Sequence, residues 1–174
     1  MKIVTTPMCQ EVVKMAGVSD FIVSKNPDST DADLAVVLWE TNTNKPALRI
    51  KLNTFNQIKT SINMVAEKIG TSPVKLDFIG GKFPEKKEER KKIKVKVYSN
   101  FLKEIVLDMG FSLSEDRADF MVYPDYIHNE ISEEIRDMGN RAIEIPSHNN
   151  VPVNPLERAH LRYNILEKRL CTKL

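Results

Sequence analysis

Cysteine is almost absent from this chain: Cys9 and Cys171 are its only two, 162 positions apart. That excludes a disulfide-stapled scaffold and points to two thiols in a reducing compartment. Histidine is nearly as scarce, with His128, His148 and His160 alone. No Cys or His pair has finger-like spacing, so a four-ligand zinc site is not expected. The six glycines form neither a P-loop nor a GxGxxG fingerprint. Charge of one sign is also missing. A net charge of +2 gives no bulk nucleic-acid footprint, and nucleic-acid and membrane partners are both set aside. The longest apolar run is Leu34 to Trp39, far short of the ~20 residues that a spanning helix needs. The opening MKIVTTPMCQEVVKM reads as no secretory leader, because polar residues interrupt any apolar stretch. Cys171 stands one position off a prenylation box, so a cytoplasmic protein is expected.

The composition, 41% apolar and 29% charged over 174 residues, is that of a globular protein of one domain or two small halves. Four helix-like stretches each stop at a glycine: Gly17, Gly70, Gly110 and Gly139. A glycine just past a helix enters the left-handed region without a Cβ clash and lets the last carbonyls be capped. An apolar run follows each stop, at Phe21–Val23, Val74–Ile79, Phe111–Leu113 and Ala142–Ile145. Other strand-like runs precede helices: Ile3–Thr5, Leu48–Leu52, the alternating Ile93–Tyr98, and Phe120–Tyr123. Leu34–Trp39 is apolar throughout and reads as a strand covered on both faces.

The two halves echo each other. Glu11 to Gly17 followed by Ala32-Asp33-Leu34-Ala35-Val36-Val37 parallels Glu104 to Gly110 followed by Ala118-Asp119-Phe120-Met121-Val122-Tyr123. The echo fits either a duplication or one α/β grammar used twice. The expected fold class is α/β, with two similar β-α-β-β-α-β halves. These read as Rossmann-like, doubly wound, mostly parallel sheets, with tandem ferredoxin-like halves as the alternative. The stretch Glu40–Pro46 with Leu48–Leu52 behind it suggests an added antiparallel strand. The expected organisation is an N-terminal half over 1–81, a charged linker over 82–92, a C-terminal half over 93–150 and a last helix over 151–174. Lys82 to Lys96 holds eight basic and three acidic residues, read as a solvated connection or a local patch for phosphate or an acidic partner. The last helix opens with Asn154 as N-cap and Pro155 at its first position. Its seam of Leu156, Ala159, Tyr163, Leu166 and Leu170 would dock it on the body or form a homodimer.

In open parallel sheets ligands lie beyond the carboxyl ends of the strands. That rule selects Thr5, Thr6, Trp39, Glu40, Ser99, Asn100 and Tyr126 as the ligand-binding candidates, with Asp125 and His128 beside them. Thr5, Thr6, Ser99 and Asn100 would donate hydrogen bonds to an anion near helix starts, although Thr6 as N-cap with Pro7 following serves equally as ordinary capping. Trp39 and Tyr126 would stack on a planar ligand, or Trp39 would fill the core. Cys9 would be a thiolate nucleophile activated by a helix start, or a buried inert thiol. Asp125 and His128 would supply acid–base groups, or Asp125 would cap a helix beginning near His128. His148 lies in a polar loop and would join the site or face water.

The segments KIVTTPMCQEVVKMAG, KNPDSTDADLAVVL and RIKLNTF resemble conserved hypothetical proteins of methanogenic archaea, over the first third of the chain. The resemblance implies an archaeal cytosolic protein with a link to methanogenesis. It carries no activity, cofactor or site residue. The functional expectation is therefore a protein that binds a small anionic metabolite, nucleotide or cofactor in a crevice between the halves. The alternatives are an enzyme using Cys9 or Asp125/His128, and an accessory subunit docking through its last helix.

Overall fold

The structure is a computed structural model that describes residues 1–75, 87–147 and 151–171. It divides into two compact units, Met1–Ile79 with Val153–Leu156, and Gly80–Pro152 with Glu157–Leu174.

The first unit runs β1 (Ile3–Thr5), α1 (Gln10–Met15), β2 (Ile22–Val23), β3 (Leu34–Leu38), β4 (Ala47–Ile50) and α2 (Phe55–Ile69). Its strands lie in the order β2-β1-β3-β4, and every pair is parallel. The second unit runs α3 (Lys87–Arg90), β5 (Lys94–Val97), α4 (Asn100–Asp108), β6 (Ser112–Leu113), β7 (Phe120–Pro124), α5 (Ser132–Met138), β8 (Ala142–Ile145) and α6 (Pro155–Leu170). Its order is β6-β5-β7-β8, again parallel throughout. The fold class is thus α/β with two parallel four-stranded sheets of the same order. The ferredoxin-like alternative is overturned, since it requires antiparallel pairs. So is the antiparallel strand expected behind Glu40–Pro46: Ala47–Ile50 pairs parallel with β3, Val36 facing Leu48.

The register aligns β1, β3 and β4 with β5, β7 and β8 residue by residue. Thr5 faces Val36 as Val97 faces Val122, and Leu38 faces Ile50 as Pro124 faces Ile145. In this alignment α6 answers to α2 as each unit's closing helix rather than an appendage. Ala159, Tyr163, Leu166 and Leu170 are all buried, and the Tyr163 hydroxyl donates to the Asp108 carboxylate at 2.6 Å. The seam read as a homodimer face is therefore spent inside the protein, with Leu156 half-buried at its start.

The units differ in how their third strand reaches the fourth. In the second unit the crossover carries α5. In the first, residues 39–46 contain no helix and are pinned by polar contacts instead. The Arg49 guanidinium donates to the carbonyls of Trp39, at 3.3 Å, and Thr41. The Asp28 carboxylate accepts from the Thr43 hydroxyl and, at 3.0 Å, from the Asn44 N–H. Lys45 Nζ reaches the Ala32 carbonyl at 3.0 Å. The first unit's described order is thus β-α-β-β-β-α, not the expected β-α-β-β-α-β. Val74 and Lys75 are outside any strand, and 76–79 lie outside the described residues.

The glycine stops behave as the pattern requires: Gly17, Gly70, Gly110 and Gly139 all have positive φ. Gly17 is the most constrained, because a Cβ there would sit 2.2 Å from the Ser72 carbonyl oxygen, in the chain just past the end of α2. α2 opens with a reciprocal cap, the Thr54 hydroxyl accepting from the Gln57 N–H at 3.2 Å and the Gln57 side chain accepting from the Thr54 N–H. The charged stretch expected as a solvated linker is not all solvated. Arg90 is buried, donating to the Met109 carbonyl at 3.2 Å and to Glu167 at 2.7 Å, with its guanidinium over the Phe111 ring. Residues 82–86 of that stretch lie outside the described residues.

Candidate functional site

The strand orders place a switch point in each sheet, between β1 and β3 and between β5 and β7, where successive connections leave in opposite directions. At the first, Thr5 is fully buried, and its hydroxyl donates to the Val36 carbonyl at 2.8 Å. It is a cross-strand tie, not a ligand donor. Thr6 is half-buried and does not cap α1; its carbonyl accepts from the Cys9 N–H at 3.0 Å. Cys9 holds the N-cap position without a side-chain cap bond and is fully buried. The Cys9 thiol has no exposed surface and sits as a small buried hydrophobe, so α1 offers no accessible nucleophile. Trp39 is 60% exposed, which overturns its reading as core filler. Glu40 beside it is exposed.

At the second switch point Ser99 caps α4, accepting from the Leu102 N–H at 3.4 Å. That bond uses one of the hydroxyl's two lone pairs and does not involve its O–H. Asn100 is exposed, and Tyr126 is 59% exposed. Asp125 does not cap a helix at His128, since α5 begins at Ser132; it opens a 3₁₀ turn over Asp125–Ile127. Its carboxylate accepts from both the N–H, at 3.2 Å, and the hydroxyl of buried Ser147, just beyond β8.

Ser147 leads to two residues that the sequence reading missed. Arg158 and Arg162 stand four apart on α6, so both project from one face. They are 2% and 5% exposed. Arg162 Nε donates to the Pro146 carbonyl at 3.1 Å and Nη2 to the Ser147 carbonyl at 2.6 Å, while the guanidinium lies 4.8 Å from the Phe101 ring centroid. Arg158 Nη1 donates to the Pro152 carbonyl at 3.2 Å. Burial pushes Arg162 down to about 10, and Arg158 adds to the effect while Asp125 opposes it. The signal was present in the sequence: both arginines adjoin the apolar seam at Ala159 and Tyr163 instead of opposing it.

The expected Asp125/His128 pair does not form through side chains. His128 Nδ1 lies 2.7 Å from Glu144 Oε2 and 3.5 Å from the Tyr123 hydroxyl, both partners it shares with no other candidate, and the His–Glu pair is about half exposed. His148 lies outside the described residues. Among the described residues no three His, Cys, Asp or Glu side chains gather to hold a metal ion. No helix among them is long and apolar enough to cross a membrane.

No family model and no curated protein matches the chain. Among solved structures it is similar to a crystal structure of a Zn(II)-bound mutant variant of AdcAII from Streptococcus pneumoniae, with a TM-score of 0.53, 11% identity, and coverage of 98% of this chain and 99% of that one. At that identity the likeness concerns the fold alone, and it agrees with two α/β halves.

Proposed function

We propose that the protein binds a small anionic ligand, a metabolite, nucleotide or cofactor, at the carboxyl end of the second unit's sheet. The observation that carries this reading is the buried pair Arg158 and Arg162 beyond β8, with Asp125 tied to Arg162 through Ser147. A buried guanidinium that bonds backbone carbonyls satisfies its donors but keeps its charge, which costs free energy in a low-dielectric site. The depressed Arg162 is the mark of that cost. An oxyanion seated beside the pair would remove it through charge-assisted, fork-like hydrogen bonds. Exposed Tyr126 and Asn100 stand at the ends of the neighbouring elements to meet the rest of the ligand. Two free thiols, Cys9 and Cys171, support a reducing compartment such as the cytoplasm for this activity.

The neighbour's Zn(II) is not carried over to this chain, because no ligand cluster among the described residues supports it. An enzymatic reading through Cys9 has nothing to recommend it, given that side chain's burial.

Thermal melts with phosphate, nucleotides and dicarboxylates test the proposal. A ligand at 100 times its Kd should add about 2.7 kcal/mol and raise Tm by several degrees. The shift should vanish in Arg162→Met, provided circular dichroism shows a folded protein. Flat melts across the anion panel, or a shift undiminished in folded Arg162→Met and Arg158→Met, would sink the reading.

A further inference from the structure

We infer that α5 is a detachable cover, able to unlatch from the second unit's sheet while that sheet stays folded. The chain contains its own control. The first unit builds a sheet of the same order and register with residues 39–46 in place of a helix. The fold therefore does not need α5 to set its third and fourth strands. The helix itself is poorly rooted. No residue of Ser132–Met138 is buried, and only Ile135 and Met138 are even half-covered.

Polar contacts hold it instead. Glu134 receives Lys96 Nζ at 2.6 Å and the Tyr98 hydroxyl, which makes one latch between α5 and β5. His128 with Glu144 ties the approach to the helix, and Arg169 Nη2 to the Asn140 carbonyl, at 2.9 Å, ties its exit. Beside the helix opens a pocket of about 230 Å³, walled by Lys96 and Met121 from the sheet, Glu134, Asp137 and Met138 from α5, and Glu115, Asp116 and Ala118 from the loop before β7. Segments with few buried contacts open locally at far lower free energy than the core.

Hydrogen exchange on the full-length protein decides the matter. Corrected for intrinsic rates, amides of 132–138 should exchange roughly a hundredfold faster than those of Leu102, Ile105 and Val106 in α4, whose side chains are fully buried. Glu134→Gln should speed α5 a further two- to fivefold or so, the worth of an exposed ion pair, and leave α4 unchanged. Raised salt should act on the wild-type protein in the same direction, which keeps the test open if the variant does not fold. Exchange of α5 in step with α4, or a Glu134→Gln effect spread equally over both helices, would overturn the inference.

Discussion

Single residues show how a repeated pattern turns into a repeated contact. Asp33 and Asp119 both precede a third strand, and both do the same thing. The Asp33 carboxylate accepts from the Lys2 N–H at 2.7 Å while its own N–H donates to the Lys2 carbonyl. Asp119 repeats this with Lys94, at 2.8 Å and 2.7 Å. Both aspartates stand at the amino ends of their strands, just before Leu34 and Phe120. Arg158 and Arg162 were harder to see, because a charged side chain is read as solvated unless something else marks it. Two substitutions separate strain from collision. Gly17→Ala should cost clearly more than Gly70→Ala in chemical denaturation. Both adopt positive φ, worth about 1–2 kcal/mol for a residue with a Cβ, but only at Gly17 would the Cβ strike a backbone carbonyl. Equal losses at the two positions would contradict the close approach at Ser72.

Among the elements, α6 changes most between sequence and structure. Its seam is legible as spacing, but spacing cannot say whether the covering surface belongs to the same chain. Burial of Tyr163, Leu166 and Leu170 answers that. Leu166→Ala should therefore lower stability by about 2–5 kcal/mol, as a large-to-small change in a packed interior does, and leave the oligomeric state unchanged by analytical ultracentrifugation. Glu167→Ala should also destabilise strongly, by about 3 kcal/mol, because it strips a buried guanidinium of its carboxylate partner. Loss at that position but not on replacing exposed Lys168 would separate the ion pair from helix propensity. At the other end of the range, Thr54→Ala removes the cap of α2 and should cost about 1 kcal/mol.

For the whole molecule the charge ledger predicts a stability plateau with two flanks. The carboxyls of Asp28, Asp31, Glu88 and Glu134 are held below their ordinary values, mainly by bonds from Thr43, Lys2, Lys91 and Lys96 respectively. A depressed carboxyl means that the unfolded chain binds more protons as pH falls through the ordinary range near 4. Stability then drops on the acid side. Lys2 and Lys96 are raised by Asp31 and Glu134, so what they contribute is lost as pH climbs past the ordinary lysine value. Tyr98 and Tyr123, raised by burial, add to that alkaline loss, because the unfolded phenols ionise first. Tm measured from pH 3 to pH 11 should fall at both ends. The acid fall should be shallow, since these groups are exposed and screened, and raised salt should flatten it. A steep acid transition unmoved by salt would mean that other groups control it.

Read by itself, the chain determined where its helices stop, most of the runs that become strands, and that two similar α/β halves follow one another. Those are local matters of backbone freedom at glycine and of side-chain period, and they depend on neighbours a few positions away. Only the tertiary structure decided that every strand pair is parallel, that α6 completes the second unit, and that two arginines lie buried beyond β8. These depend on groups such as Ser147 and Arg162, or Arg90 and Glu167, that are far apart along the chain and meet only when it folds. Burial of a charge is a property of that meeting; the spacing of Arg158 and Arg162 beside the seam points toward it but does not supply the carbonyls that receive them.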